Sequence, residues 1–546
     1  MTSKAITFPE LQRALHDGEE LALLDVREDG EFGEGHLLFA IPLPYSVLEL
    51  RVFDLVPRQS VRVVLCDDGV SGIAARAQHR LERLGYSDCR VLTGGLQAAQ
   101  AQGHPIFKGV NVPSKLFGEL VEHVYGTPRI TARQLAEMRA AGEDLVVIDG
   151  RPIQEHHKMT IPGSVCCPNG ELPYRISDLV QQPSTKVVIN CAGRTRSILG
   201  AQTLINFGLE NPVFALENGT QGWALADFAL EYGSQQRYPG DASPIALNAD
   251  TLANRQAAAR KLMARHQVPW VTGETVNRWR QEPTRSTYLC DVRTPAEFAR
   301  GSIPGAVNAP GGQLIQATDQ WIGVRRARVV IVDGGDHIRA PSVASWLRQL
   351  GHETYVLDVS TASEILPVSP RQWSGTFAKS AITASELARQ MAEQQTIVID
   401  LGPSMDFRRG HIPGARWGTR RDLAQKVTLM LNERPDTRYV VLMADDDQKA
   451  QLAMTELEGL VQEKQCLLQF LTGGLRAWQA DNLPVEATPD QPPNVDCIDF
   501  LFFVHDRHSG NREAMRQYLA WETGLMAQVT EDDKKLFTLY EQVHGE

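Results

Sequence analysis

A chain of 546 residues exceeds what one hydrophobic core supports, so three to five domains are expected. Its hydrophobic content of 42% and mean hydropathy of -0.25 describe a soluble globular protein. No apolar run approaches the roughly 20 residues of a membrane helix, and a net charge of -11 argues against a nucleic-acid partner. The opening "MTSKAITFPELQRAL" has no signal-peptide apolar stretch, so cytoplasmic residence is expected.

Along the chain one unit recurs four times. In the first copy, "LALLDVR" is an apolar strand ending at Asp25, followed by "GHLLFAIP" and a second strand, "VRVVLCDDG". The second copy has "LVVIDGR" ending at Asp149, then "MTIPGSV" and "TKVVINCAG". The third has "TYLCDVR" at Asp291, "GSIPGAV" and "ARVVIVDGG"; the fourth has "TIVIDLG" at Asp400, "GHIPGAR" and "RYVVLMADD". Counted from the Asp to Cys66, Cys191, Asp333 and Met443, the spacings are 41, 42, 42 and 43 residues. A helix-period segment and a further short strand follow each loop. Three copies then carry a glycine turn, "LTGGLQAA", "LENGTQGW" and "LTGGLRAW"; the third has "VLDVSTAS". Repetition at a fixed period marks tandem copies of one supersecondary unit. Strands alternating with helices predict α/β domains with mostly parallel sheets. We place the domains at 1–107, 127–238, 268–378 and 379–486, with a mainly helical C-terminal tail at 487–546. The block Phe500, Leu501, Phe502 and Phe503 is expected to dock the tail on a domain or on a second copy of the chain.

The eight cysteines form no disulfide framework and no zinc-spaced group. Cys191 stands apart. A strand delivers it to a loop, Gly193 permits a tight turn, and a helix expected from about Ser197 follows, burying Ile198, Leu199, Leu204, Ile205 and Phe207. Loop N–H groups, a helix N-terminus and the cations of Arg194 and Arg196 all favour a thiolate there and would hold an incoming oxyanion.

The unit resembles the rhodanese domain, and residues 1–486 resemble a tandem four-domain rhodanese-like protein. The resemblance rests on the Asp-x-Arg strand end, the Gly-His-Ile-Pro-Gly-Ala type segment, the cysteine loop and "TGGLRAW". It implies a thiosulfate sulfurtransferase needing neither metal nor organic cofactor. Cys191 would be the nucleophile and take a persulfide from thiosulfate, and cyanide or a thiol would accept the sulfur. The amides of Ala192, Gly193, Arg194, Thr195 and Arg196 would cradle the anion. Arg194 and Arg196 would face the substrate, and Arg175 would stand at the pocket rim. Asp149 and Arg151 are expected as a structural ion pair beneath the loop, and Cys167 as core packing. "CDDG" keeps Cys66 at the first copy's site beside two carboxylates, Asp67 and Asp68, which disfavour a thiolate. Asp333 and Met443 (or Ala444) make the third and fourth copies inactive. Two other readings stay open. A persulfide carrier would feed a protein acceptor. A rhodanese-like phosphatase would need five residues between Cys and Arg, where this loop has four. His505 and His508 read as ordinary polar residues rather than metal ligands.

Overall fold

Each of the four Asp-terminated apolar runs forms a strand: Leu21–Asp25, Leu145–Asp149, Thr287–Asp291 and Thr396–Asp400. Unbroken Val/Ile/Leu runs suit strands covered on both faces. The computed structural model describes residues 4–180, 182–239, 247–368, 371–374 and 380–539, without the side chains of His508 and Ser509. It contains four five-stranded sheets with one topology: along each sheet the strands run first, fifth, fourth, second, third. Every pairing is parallel. In the second domain the strands are Arg129–Ile130, Leu145–Asp149, Val165–Cys166, Lys186–Asn190 and Val213–Leu216. The central position of Lys186–Asn190 puts whatever follows it at the carboxyl end of the sheet, where α/β folds hold their sites.

The third copy departs where its sequence does. A helix follows the last strand in the other three, at Gly95–Ala101, Gly219–Leu225 and Gly474–Ala480. Among the described residues the third has a 3-10 segment there instead, Val359–Glu364. Its "DVSTAS" lacks the glycine that lets the other turns reach positive φ.

Three of the domains are fused through one core. Leu24 and Val64 of the first, Ile189 and Leu204 of the second, and Val329 and Leu347 of the third share it. So do Leu116, Phe117 and Val121 of the connecting helix Val112–Tyr125, and Leu525, Phe537 and Leu539 of the tail. Phe537 stacks on Phe117 with centroids 6.4 Å apart, and Phe117 meets Trp346 edge-on at 5.8 Å. The fourth domain keeps two clusters of its own, one on each face of its sheet. It meets the first domain through buried charge. Arg420 grips Glu49 at 2.6 and 2.9 Å, while Glu456 accepts from Arg76, Arg80, Arg420 and the Tyr45 hydroxyl. Such a network specifies one docking geometry more than it adds stability.

The aromatic block of the tail docks within the chain. Leu501 presses on Gly33, where a methyl group would lie 2.3 Å from its side chain, and the backbone of Ile498 and Phe500 crowds Gly30. Because Phe537 packs on Phe39 of the first domain and Phe117 of the connecting helix and lies beside Gly351 of the third domain, Phe537→Ala should destabilise the whole array. The expected loss is about 3–5 kcal/mol, read as a lowered urea midpoint against the exposed control Val495→Ala. An unchanged midpoint would show that the tail is not part of the core.

Candidate active site

Strand register identifies the residue at the same place in each loop. Asp149 pairs with Asn190, Asp25 with Cys66, Asp291 with Val332 and Asp400 with Met443. Cys191 is therefore one residue past its strand, and its equivalents are Asp67, Asp333 and Ala444. A second measure agrees. The turn glycine of the last helix presses on the carbonyl of this residue: Gly219 on Cys191, Gly95 on Asp67 and Gly474 on Ala444, with a Cβ there 2.2, 2.5 and 2.2 Å from the oxygen. This corrects one expectation and decides between the two residues left open in the fourth copy. Cys66 is the last residue of its strand, buried in the core, and Asp67 holds the nucleophile's place. In the fourth copy the place belongs to Ala444, not to Met443. Burial, with Asp25 next, pushes the Cys66 thiol well above its usual range.

The two aspartates show what this loop accepts. Asp67 takes hydrogen bonds from the N–H groups of Gly69 at 2.8 Å and Ala74 at 3.0 Å. Asp333 takes the matching pair from Gly335 at 2.9 Å and Ala340 at 3.0 Å. Burial, with Asp336 beside it, lifts Asp333 to about 7. In the second copy a thiol replaces the carboxyl. Among the described residues, the N–H groups of Ala192 to Ser197 find no acceptor. The helix begins at Thr195, two residues earlier than expected, because Ile198 N–H already reaches the Arg194 carbonyl at 3.2 Å. Ile198, Leu199 and Leu204 are buried; Ile205 and Phe207 are half-buried. The helix is buried on its polar side too, with Thr203 accepting from the Trp346 indole at 2.9 Å. Cys191 itself is 2% exposed, and its Sγ lies 3.4 Å from the Ser197 hydroxyl.

The loop's arginines do not stand free. Arg194 is held by Glu119 at 2.7 and 3.0 Å and by Glu122 at 2.5 Å, both on the connecting helix Val112–Tyr125. Arg196 makes a two-pronged pair with Glu155 at 2.7 and 2.8 Å. Burial would raise the Glu155 carboxyl, but the Arg196 guanidinium overrides it and draws it to about 2. Both cations expected to face the substrate are thus paired with carboxylates of two neighbouring elements. The expectation for Arg175 is corrected. It is 0% exposed, donates to Glu171 at 2.7 Å and lies 4.2 Å from the Tyr238 ring centre. Its helix, Leu172–Leu179, packs on the third domain, whose Arg339 shares Glu171. Arg175 therefore belongs to an interdomain charge cluster, not to a rim.

Beneath the loop, Asp149 and Arg151 form a buried pair at 2.7 and 2.9 Å. Asp149 also accepts from Thr160 at 2.8 Å and contacts His156 Nδ1 at 3.1 Å. Thr160 replaces the histidine of the first and fourth copies, where His36 and His411 bond backbone carbonyls instead. Cys167 is buried in the core. His505 stacks on Phe500 at 4.3 Å, and the side chain of His508 lies outside the described residues. Among the described residues no group of three or more His, Cys, Asp or Glu could hold a metal, and no helix is long and apolar enough to cross a membrane.

Residues outside the motif close over the loop. Glu522, on the tail helix Arg512–Gly524, accepts from the Thr195 hydroxyl at 2.9 Å. Its other oxygen lies 2.8 Å from where a Cβ on Gly193 would sit, and Tyr518 lies 3.5 Å from that point. Gly118 of the connecting helix lets Thr195 approach within 2.8 Å of the corresponding position. None of these is marked in the sequence around Cys191. Glu155 does carry a signal: an acidic residue follows the strand-end Asp by six positions in every copy, as Glu31, Glu155, Glu297 and Asp406.

With the geometry in place, comparison with known proteins agrees. The rhodanese-like domain model matches residues 7–102, 131–226, 274–362 and 383–481. The crystal structure of a thiosulfate sulfurtransferase from Pseudomonas aeruginosa is 38% identical. The match covers 98% of this chain and 99% of that one, with a TM-score of 0.88. A sulfurtransferase from Allochromatium vinosum is 30% identical over 101 residues, which is 18% of this chain and 92% of that protein. The chain is a member of the rhodanese-like sulfurtransferase family, with four copies of the domain in tandem.

Proposed function

We propose that the protein is a thiosulfate sulfurtransferase with one working site, Cys191, and that the other three domains position it. The carrying observation is that only the second loop has a nucleophile at the position filled by Asp67, Asp333 and Ala444 elsewhere. The relative named a thiosulfate sulfurtransferase supports the choice of donor.

In the first half-reaction the Cys191 thiolate attacks the outer sulfur of thiosulfate. A new S–S bond forms at Sγ, the bond between the two thiosulfate sulfurs breaks, and sulfite leaves with the electron pair. In the second, cyanide or a thiolate attacks the terminal sulfur of the persulfide, and Cys191 departs as thiolate. Charge and electrons balance without an added oxidant or reductant, and the two steps form a ping-pong cycle. Unanswered N–H groups and the N-terminus of Thr195–Asn206 stabilise the thiolate and the persulfide. The Ser197 hydroxyl lies 3.4 Å from Sγ and donates to the Arg194 carbonyl at 2.9 Å, so it would turn from that carbonyl to donate to the thiolate. The short loop, with four residues between Cys191 and Arg196, suits a sulfur atom better than a phosphoryl group.

Thiosulfate should add one sulfur atom to the full chain, on Cys191, as read by intact mass and peptide mapping. Cys191→Ser should abolish both the adduct and thiosulfate:cyanide transfer; full activity in that variant would refute the assignment. Cys66→Ser should leave turnover nearly unchanged, since Cys66 lies one residue short of the site. A loss matching that of Cys191→Ser would reveal a relay between the first two domains.

Gly219 offers a separate check on the loop. Its φ of +53 and a Cβ only 2.2 Å from the Cys191 carbonyl leave no room for a side chain. Gly219→Ala should cost more than ~1 kcal/mol of stability. By displacing the loop it should lower kcat/KM for thiosulfate roughly ten- to hundredfold. Parent-like kinetics would mean that the loop tolerates movement.

A further inference from the structure

A dianionic donor needs uncompensated positive charge, and the second domain supplies little. Arg151, Arg194 and Arg196 each have a carboxylate partner. The remaining cations packed around the loop come from outside that domain. Lys115, on the connecting helix, is 4% exposed and donates to the Val110 carbonyl. It feels both Glu522 and Arg196 electrostatically. Burial pushes it down to about 7, so it holds only part of its charge at neutral pH.

Arg507 is the stronger candidate. It lies in the tail turn Asp506–Ser509 and is 8% exposed. Its guanidinium carbon sits 3.5 Å from the centre of the Tyr518 ring, the ring that packs against Gly193. Nε donates to the Val504 carbonyl at 3.0 Å. Nη1 is buried and, among the described residues, has no hydrogen-bond partner. No ion pair to Arg507 occurs among the described residues. A guanidinium N–H buried without an acceptor is costly, and the cost is recovered when an anion supplies one. Among the described residues, Glu522 Oε2, Gln221 Oε1 and the Trp521 indole N–H are also unanswered here, and the other oxygen of Glu522 already holds Thr195.

We propose that Arg507 is an anion-recognition residue of the Cys191 site, taking the sulfonate end of a thiosulfate-type donor, so that the C-terminal tail completes the active site. This rests on the sulfurtransferase reading above. Tyr518 is the platform that orients the guanidinium, and Glu522 is a positioning residue that steadies the loop through Thr195. An arginine suits the task because it stays charged when buried and presents a planar fork to oxyanions.

The test uses the full chain in two arms. In the first, thiosulfate is titrated into Cys191→Ser by calorimetry, with and without Arg507→Met. Loss of the charged hydrogen bonds should weaken binding about tenfold or more, and Arg507→Lys should recover part of it. Equal affinities would overturn the assignment whether or not the parent turns over. In the second arm, with Cys191 intact, Arg507→Met should raise KM for thiosulfate by a similar factor. It should leave cyanide attack on the preformed persulfide nearly unchanged, because the donor has already departed. A matched fall in both half-reactions would mean a structural role and would also overturn it. If Arg507→Met fails to fold, Arg507→Gln, which keeps the stem and a donor but loses the charge, is read in the same way. A parent that binds thiosulfate through Arg507 but takes no sulfur onto Cys191 would refute the sulfurtransferase reading and leave this site standing.

Discussion

Turning a strand into a helix at the carboxyl end of a parallel sheet leaves several backbone N–H groups pointing at one spot, and something must answer them. Each domain here faces that constraint at the end of its central strand. In the first and third, the chain answers with its own carboxyl, Asp67 or Asp333, each receiving two amides. In the fourth, Ala444 offers nothing, and Asp446 instead caps the following helix at Gln448. In the second, the residue is Cys191 and the amides around it remain unanswered. The filled loops thus display, within one molecule, the anion-receiving geometry that the open loop keeps available. A carboxyl in place of the thiol in the first and third copies need not cost stability, because it satisfies the same donors.

Part of what holds the open loop in shape lies outside its own domain. The connecting helix Val112–Tyr125 contributes Glu119 and Glu122 to Arg194 and the gap at Gly118 to Thr195. The tail contributes Glu522. Both elements are rooted in the core that the first three domains share. The first and third domains thus form walls against which the linker and the tail are pressed onto the Cys191 turn. A catalytic loop supported on every side loses little entropy on binding substrate. That gives the first and third copies a physical role beside the second.

Much of this architecture was legible in the sequence, because it is local. The apolar run ending in Asp, the interval to the loop and the glycine turn marked four domains, and one complete loop stood out among them. The errors are equally physical. A spacing of 41 rather than 42 residues put Cys66 one position short, and only strand pairing shows that Asp67 takes the nucleophile's place. The fate of the arginines could not be read from their own segment. The partners of Arg194 lie 72 and 75 residues away, and Thr195 meets Glu522 across 327. Such contacts are fixed by how domains pack, which periodicity and propensity do not encode. Glu155 was the exception, since its recurrence six residues after each strand-end Asp was visible, although its partner was not.

Neutralised arginines fit the proposed cycle better than free ones would. The persulfide is itself an anion, one atom further out than the thiolate. A site with two bare guanidinium groups would bind donor, persulfide and sulfite all tightly, and uniform binding does not speed a reaction. Pairing Arg194 and Arg196 with carboxylates leaves the amide dipoles, which are short-ranged and aimed at the sulfur, to stabilise the charge on Cys191. Recognition of the departing sulfonate can then rest on a group farther out, which loses its ligand when sulfite leaves and does not hold the persulfide back. Separating the charge that stabilises the intermediate from the charge that recognises the donor lets both half-reactions proceed through one loop. It also gives the loop a reason to be closed by elements from other parts of the chain.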